Sequence, residues 1–228
     1  MQNIRNYSQQ NIDKSDIVEV GKVLRSKYLT SGPKVVEFEK KIGKYVNSKF
    51  SVAVNSATSG LHIACLALGL KKKDIAWTSP ISFVASANCA LYCGADVDFV
   101  DIDKDTFNIS TFELEQKLKF AKKLKKLPKV LIVVHLAGAP CDMSKIKELS
   151  KKYKFYIIED ASHALGSVYK GSKIGSCKYS DITVFSFHPV KTITTAEGGL
   201  VTTNNNSIYR NLTLFREHGI ERNKKKFL

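Results

Sequence analysis

Apolar and polar positions along the chain alternate between two periods, and the switch between them recurs from end to end. Residues 34–46 carry Val35, Phe38, Ile42 and Tyr45 on one side of a 3.6-residue repeat, which predicts an amphipathic helix following the turn Ser31-Gly32-Pro33. Residues 13–26 read as an earlier helix that starts near Asp13 or Ser15. Short apolar runs predict strands at Phe50–Val54, Ile75–Thr78, Val97–Val100, Val130–Val134, Phe155–Ile158, Ile182–Phe185 and Leu200–Thr203. Between them, helices are expected over Ala57–Leu68, Ser82–Tyr92, Phe112–Leu124, Ser144–Lys152 and Ser207–Phe215. Val130–Val134 has no polar residue, so both of its faces are expected to be covered.

Helices alternating with buried strands predict an α/β domain around a mostly parallel sheet. Such sheets bind ligands beyond the C-terminal ends of their strands. The unusual polar residues stand at those ends: Asn55-Ser56, Thr78-Ser79, His135, Asp160, and Ser186 with His188. One site assembled from several strand ends is the simplest expectation.

Composition narrows this picture only slightly. Hydrophobic residues make up 43% and charged residues 25% of the 228, which suits a globular protein. No apolar run reaches the roughly 20 residues that span a bilayer. The N-terminus has no apolar signal core, so a cytoplasmic location is expected. The five cysteines have irregular spacing and no Cys-x-x-Cys, and Cys65 and Cys89 read as buried thiols. The net charge of +15 raises the question of nucleic acid. The lysines are scattered, however, at helix ends and on polar helix faces, without interleaved aromatics. They are read as a solvated surface, which would also attract an anionic substrate such as a nucleotide sugar.

Three stretches carry candidate chemistry. In Val54-Asn55-Ser56-Ala57-Thr58-Ser59-Gly60-Leu61-His62 a strand ends and a helix begins after a Ser/Thr/Gly turn. The free N–H groups of that helix start suit a phosphate, although for this stretch alone an ordinary N-cap is the stronger reading. In Ile158-Glu159-Asp160-Ala161-Ser162-His163 an acid ends a buried strand, which is costly without a partner. A protonated pyridine nitrogen is one such partner; a metal pair or a helix cap are the alternatives, and no third metal ligand stands out. In Phe185-Ser186-Phe187-His188-Pro189-Val190-Lys191-Thr192-Ile193 a strand leads past a proline to a lysine between apolar neighbours. Partial burial there would lower the pKa of Lys191 and free its amine to attack an aldehyde.

These stretches resemble the DegT/DnrJ-type sugar aminotransferases, which use pyridoxal 5'-phosphate (PLP) and have the fold-type I architecture. The resemblance rests on seven segments in family order: Leu29-Thr30-Ser31-Gly32-Pro33, Asn55–Gly60, Ser79–Ala85, Glu159–Ala164, Phe185–Lys191, Glu197-Gly198-Gly199 and Arg216-Glu217-His218-Gly219. It implies that Lys191 condenses with the cofactor aldehyde and shuttles the proton. It implies that Asp160 partners the pyridinium and that His163 contacts the ring. Ala57, Thr58 and Ser186 would hold the phosphate, and Phe83 would stack on the ring unless it is a core residue. Glutamate would be the amino donor and a keto-sugar the acceptor. The fold implied is a PLP-binding large domain over 31–228, after an N-terminal arm and first helix over 1–30. The small C-terminal domain of the family is absent, and the chain reads as part of a longer protein.

Within the family the text looks closest to the transaminases that act on UDP-4-keto-6-deoxy-N-acetylhexosamines in pseudaminic acid biosynthesis. The pointers are Tyr7-Ser8-Gln9-Gln10, Ser79–Asn88, Ala161–Gly166 and His188–Thr195. Thr192 departs from that subgroup, which usually has Pro there. The resemblance also implies a homodimer with shared active sites, and neither a membrane nor a nucleic-acid partner. A related sugar dehydratase would have His in place of the lysine; Lys191 argues against it.

Overall fold

The computed structural model describes residues 8–220. Tyr7 and the run Lys224–Lys226 lie outside the described residues. Nine strands and seven α-helices are found among those described. The helices are α1 (Lys14–Leu24), α2 (Pro33–Val46), α3 (Ala57–Ala67), α4 (Ala85–Tyr92), α5 (Thr111–Lys123), α6 (Met143–Tyr153) and α7 (Asn206–Arg216). Seven strands form one sheet: β1 (Phe50–Val54), β2 (Ile75–Thr78), β3 (Asp96–Phe99), β4 (Val130–Val134), β5 (Tyr156–Asp160), β8 (Ile182–Ser186) and β9 (Gly199–Thr203). Two more, β6 (Val168–Tyr169) and β7 (Ser172–Lys173), form a separate small hairpin.

The sheet order is β1-β9-β8-β5-β4-β2-β3. β9 runs antiparallel to both of its neighbours, and every other pairing in the sheet is parallel. Six strands therefore point the same way, as the alternating pattern predicts. Successive residues of a strand face opposite layers. Along β4, Val130 and Ile132 enter the core beneath α3, α4 and α7, whereas Leu131 and Val133 enter the core beneath α5 and α6. A third cluster joins Phe185, Phe187 and Leu200 to Phe38 and Ile42 of α2. All five residues of β4 and of β8 are buried, which explains why neither strand alternates in polarity. Cys65 and Cys89 are buried thiols, as expected, with their sulfurs 3.8 Å apart across α3 and α4.

Three expectations shift. The helix expected from Ser82 begins at Ala85, because the chain from Ser79 to Val84 is held in a turn: Ser79 Oγ donates to the carbonyl of Ile81. The strand expected at Val97–Val100 lies one residue earlier, paired with β2 at the sheet edge. The β6–β7 hairpin was not foreseen; it turns through Lys170 and Gly171, both at positive φ (45° and 73°), so the glycine was the one available signal. The first helix forms where expected, with Asp13 and Asp16 making a reciprocal capping box. No residue of α1 is buried, and Ile17, Val18, Val20 and Leu24 are all more than half exposed.

Candidate active site

The C-terminal ends of β4, β5 and β8 open onto a cavity of about 600 Å³. The start of α3, the loop around Phe83 and the segment after β8 complete its wall. Ala57, Thr58, Phe83, Asp160, His163, Ser186 and Lys191 all line it, although up to 134 positions separate them in sequence. The strand-end expectation holds for Ser56, His135, Asp160, Ser186 and His188. It fails for Asn55, Thr78 and Ser79, which do not line the cavity. β2 lies beyond β4 from the middle of the sheet, so Ser82 and Phe83, further along the loop after it, reach the cavity instead.

The floor is built by close approach of α3 to the sheet. Ser56 caps α3 by accepting from the Ser59 N–H at 3.1 Å. Gly199 of β9 sits against this turn: a Cβ there would lie 2.6 Å from the carbonyl carbon of Ser56 and 2.7 Å from the nitrogen of Ala57. Gly199 is also paired with Ser186 of β8. The glycine therefore lets the helix N-terminus and the Ser186 hydroxyl approach one another. Amide hydrogens of a helix start beside a hydroxyl suit a phosphate group.

Asp160 ends β5 and is 4% exposed. Its carboxylate is held from both sides by hydroxyls. Ser86 Oγ of α4 donates to Oδ2 at 2.6 Å, and Ser162 donates to Oδ1 through both its hydroxyl (2.6 Å) and its N–H (3.2 Å). Ser82 Oγ lies 2.7 Å from Ser86 Oγ and extends the chain of hydroxyls to the cavity rim. Burial holds Lys191 below the ordinary lysine pKa, and the charge of Asp160 acts against that shift. His163 is held below the ordinary histidine value, first by burial and then by the charge of Lys191. Phe83 is 73% exposed at the rim. It is not a core residue.

Beside Asp160, Glu159 points into the opposite layer, as the strand alternation requires. It is 3% exposed and accepts from Thr183 Oγ1 at 2.9 Å, from Ser180 Oγ, and from His135 Nε2, which lies 2.7 Å from Oε2. Burial opposes charge on His135, whereas Cys141 and Glu159 favour it. The Cys141 N–H nonetheless points at His135 Nδ1 from 3.2 Å. That nitrogen then carries a lone pair, and we assign the proton to Nε2, shared with an ionised Glu159. Burial raises the pKa of Glu159, but His135 and the two hydroxyls bring it below the ordinary carboxylate value. The pair anchors the end of β4 to β5 directly behind Asp160. Ser86, Ser162, Gly199 and Glu159 were given no role in the site from the sequence, and His135 was expected only as a polar residue at a strand end.

The donor set fits pyridoxal phosphate. A buried carboxylate held only by hydroxyls and an amide leaves room for a cationic ring nitrogen. The α3 turn offers amides to a phosphate, and a half-buried lysine faces the same space.

Comparisons with known proteins point to one family. The model of the DegT/DnrJ/EryC1/StrS aminotransferase family matches residues 10–228. A UDP-4-amino-4,6-dideoxy-N-acetyl-beta-L-altrosamine transaminase of Campylobacter jejuni is 47% identical over 216 residues, covering 94% of this chain and 55% of the relative. The structure of PseC from Helicobacter pylori, an aminotransferase involved in the biosynthesis of pseudoaminic acid, superposes with a TM-score of 0.86 at 35% identity, covering 98% of this chain and 58% of that one. A sugar aminotransferase structure from Streptococcus pneumoniae, described as putative, gives 0.88 at 31% identity, covering 98% and 60%. The chain spans between half and two thirds of the length of each of these proteins.

Proposed function

The chain belongs to the DegT/DnrJ/EryC1/StrS aminotransferase family, whose members are PLP-dependent, and from that premise we propose that its protein transfers an amino group from glutamate to a UDP-linked 4-keto-6-deoxy sugar, as a step in pseudaminic acid biosynthesis. Residues 31–228 are its cofactor-binding part, following an N-terminal arm and first helix over 1–30. The observation that carries this reading is that Lys191 and Asp160 share one cavity with the N-terminus of α3. The transaminase activity for which the C. jejuni relative is named and the pathway of the H. pylori enzyme support the choice of sugar. A net charge of +15 favours the approach of an anionic nucleotide sugar.

When bound, PLP supplies an aldehyde that takes up an amine and a ring that delocalises the electron pair left when a proton departs. The remaining work falls to side chains. The first amides of α3, from Ala57, with the hydroxyls of Thr58 and Ser186, hold the phosphate. Asp160, oriented by Ser86 and Ser162, keeps a proton on the ring nitrogen. Phe83 would stack on one ring face, and His163, whose protonation burial disfavours, would contact the ring. Burial favours the neutral amine of Lys191, so its Nζ would accept the proton from the donor carbon and return it to the carbon that had been the cofactor's aldehyde. The uncovered apolar face of α1 supports a homodimer, because exposed patches of this kind mark association surfaces.

Incubation with PLP, reduction with borohydride and peptide mapping tests the reading. Pyridoxyl label on Lys191 is the expected result. Label absent or spread over surface lysines, both in this chain and in a chain extended past Leu228, would sink it.

A further inference from the structure

α5 is amphipathic twice over. Its inner row, Leu114, Leu118 and Ala121, is buried against the sheet. Its outer row pairs Phe120 with the capping Leu124, four positions on and so on the same side of the helix, with Phe112 about two turns earlier. Phe112, Phe120 and Leu124 are 65%, 64% and 51% exposed. A soluble helix ordinarily turns charge, not phenylalanine, to water.

Unpaired charge gathers at the C-terminal end of that row. Lys122, Lys123, Lys125 and Lys126 are exposed, and none has an acidic partner among the described residues. The loop before β2 extends the basic surface with Lys71, Lys72 and Lys73, also exposed. Lys129 ties the two loops together, since its Nζ donates to the carbonyl of Gly69 at 2.5 Å and to Asp74 at 2.8 Å. These loops lead into β2 and β4 at their N-terminal ends. The cavity opens at the opposite, C-terminal ends.

We propose that this face docks on an anionic lipid surface. The lysines meet headgroup phosphates, while Phe120 and Leu124 enter the boundary between headgroups and acyl chains. Two observations favour lipid over nucleic acid. Leu124 offers no ring on which a base could stack, and the basic residues flank a protruding helix face rather than a groove that tracks a strand. The association is peripheral, since no described helix is long and apolar enough to cross a membrane. The cavity would face water throughout.

The test is co-sedimentation of the full chain with vesicles of phosphatidylglycerol and phosphatidylethanolamine, compared with phosphatidylcholine alone. Binding to the anionic vesicles only is expected. Replacing Lys122, Lys123, Lys125 and Lys126 together by Gln is expected to cut the partition coefficient well over tenfold, at about fivefold per lysine near such a surface. Phe120→Ser with Leu124→Ser is expected to cut it by at least about tenfold, from the loss of apolar insertion. Unchanged melting temperatures would show that these exposed substitutions leave the fold intact. Four results would overturn the proposal: no sedimentation, equal binding to neutral vesicles, dependence on the lysines but not on Phe120 and Leu124, or tighter binding to a nucleic-acid oligonucleotide than to vesicles. A drop in oligomer mass on the Phe120/Leu124 double substitution would assign the face to a second copy and also overturn it. The borohydride label on Lys191 is independent of every one of these outcomes.

Discussion

Ser86 donates its hydroxyl hydrogen to Oδ2 of Asp160 across 2.6 Å, and the two residues are 74 positions apart in the chain. α4 thus supports the carboxylate that the sequence could place only at the end of a strand. A buried hydrogen bond to a charged group contributes about 1.5–3 kcal/mol. Ser86→Ala is therefore expected to weaken PLP binding by about tenfold to a hundredfold. Ser86→Thr, which keeps the hydroxyl, should restore most of it. Fluorescence titration of the cofactor would check both.

The pH dependence of Lys191 follows from its two opposing neighbours. Burial lowers its pKa from 10.5 and Asp160 raises it. Nζ loses its proton as pH rises through the folded value, so reaction with an aldehyde should reach half-maximum below pH 10.5. Asp160→Asn removes the raising charge and should move that midpoint lower still. Imine formation with a phosphate-free aldehyde, followed against pH, would read the shift.

The His135–Glu159 pair is a stability element. Removing one member of a buried pair typically costs about 3–5 kcal/mol, because the other is left uncompensated. His135→Ala should cost about that much in urea unfolding. Because the folded pKa of Glu159 lies below its ordinary 4.5, its contribution is present above that pH and is lost as pH falls through the folded value. Acid unfolding of the wild type should steepen below about pH 4.5, from this depressed carboxylate among others.

Gly199 tests the close approach at the phosphate site. In Gly199→Ala the new Cβ would meet backbone atoms at 2.6 and 2.7 Å, so α3 must move. Overpacking of this kind costs about 1–3 kcal/mol, and weaker PLP binding should accompany it. Gly171→Ala is the control. Nothing lies within 4 Å of a Cβ placed there, and its φ of 73° limits the effect to backbone strain in a hairpin that does not line the cavity. Thermal unfolding with and without PLP separates the two.

The alternation of apolar runs with amphipathic segments was enough to determine the layered α/β arrangement, because each element must bury one face whatever its neighbours are. The all-apolar strand Val130–Val134 could be placed inside the sheet for the same reason. Seven short segments in order were enough to indicate the family, and with it every residue named for the site. Which carboxylate faces the cavity was not decided by local sequence. Glu159 and Asp160 are adjacent acids on one strand, and only the side on which each helix packs tells them apart: α4 brings Ser86 to Asp160, and the other layer brings His135 to Glu159. Gly199 has the same lesson, since its role is the absence of a side chain opposite Ser56, a contact between segments 143 positions apart. The lysines looked scattered because their spacing follows the chain. The fold gathers those of two loops beside one helix face, because strands that point the same way return their connecting loops to the same end of the sheet.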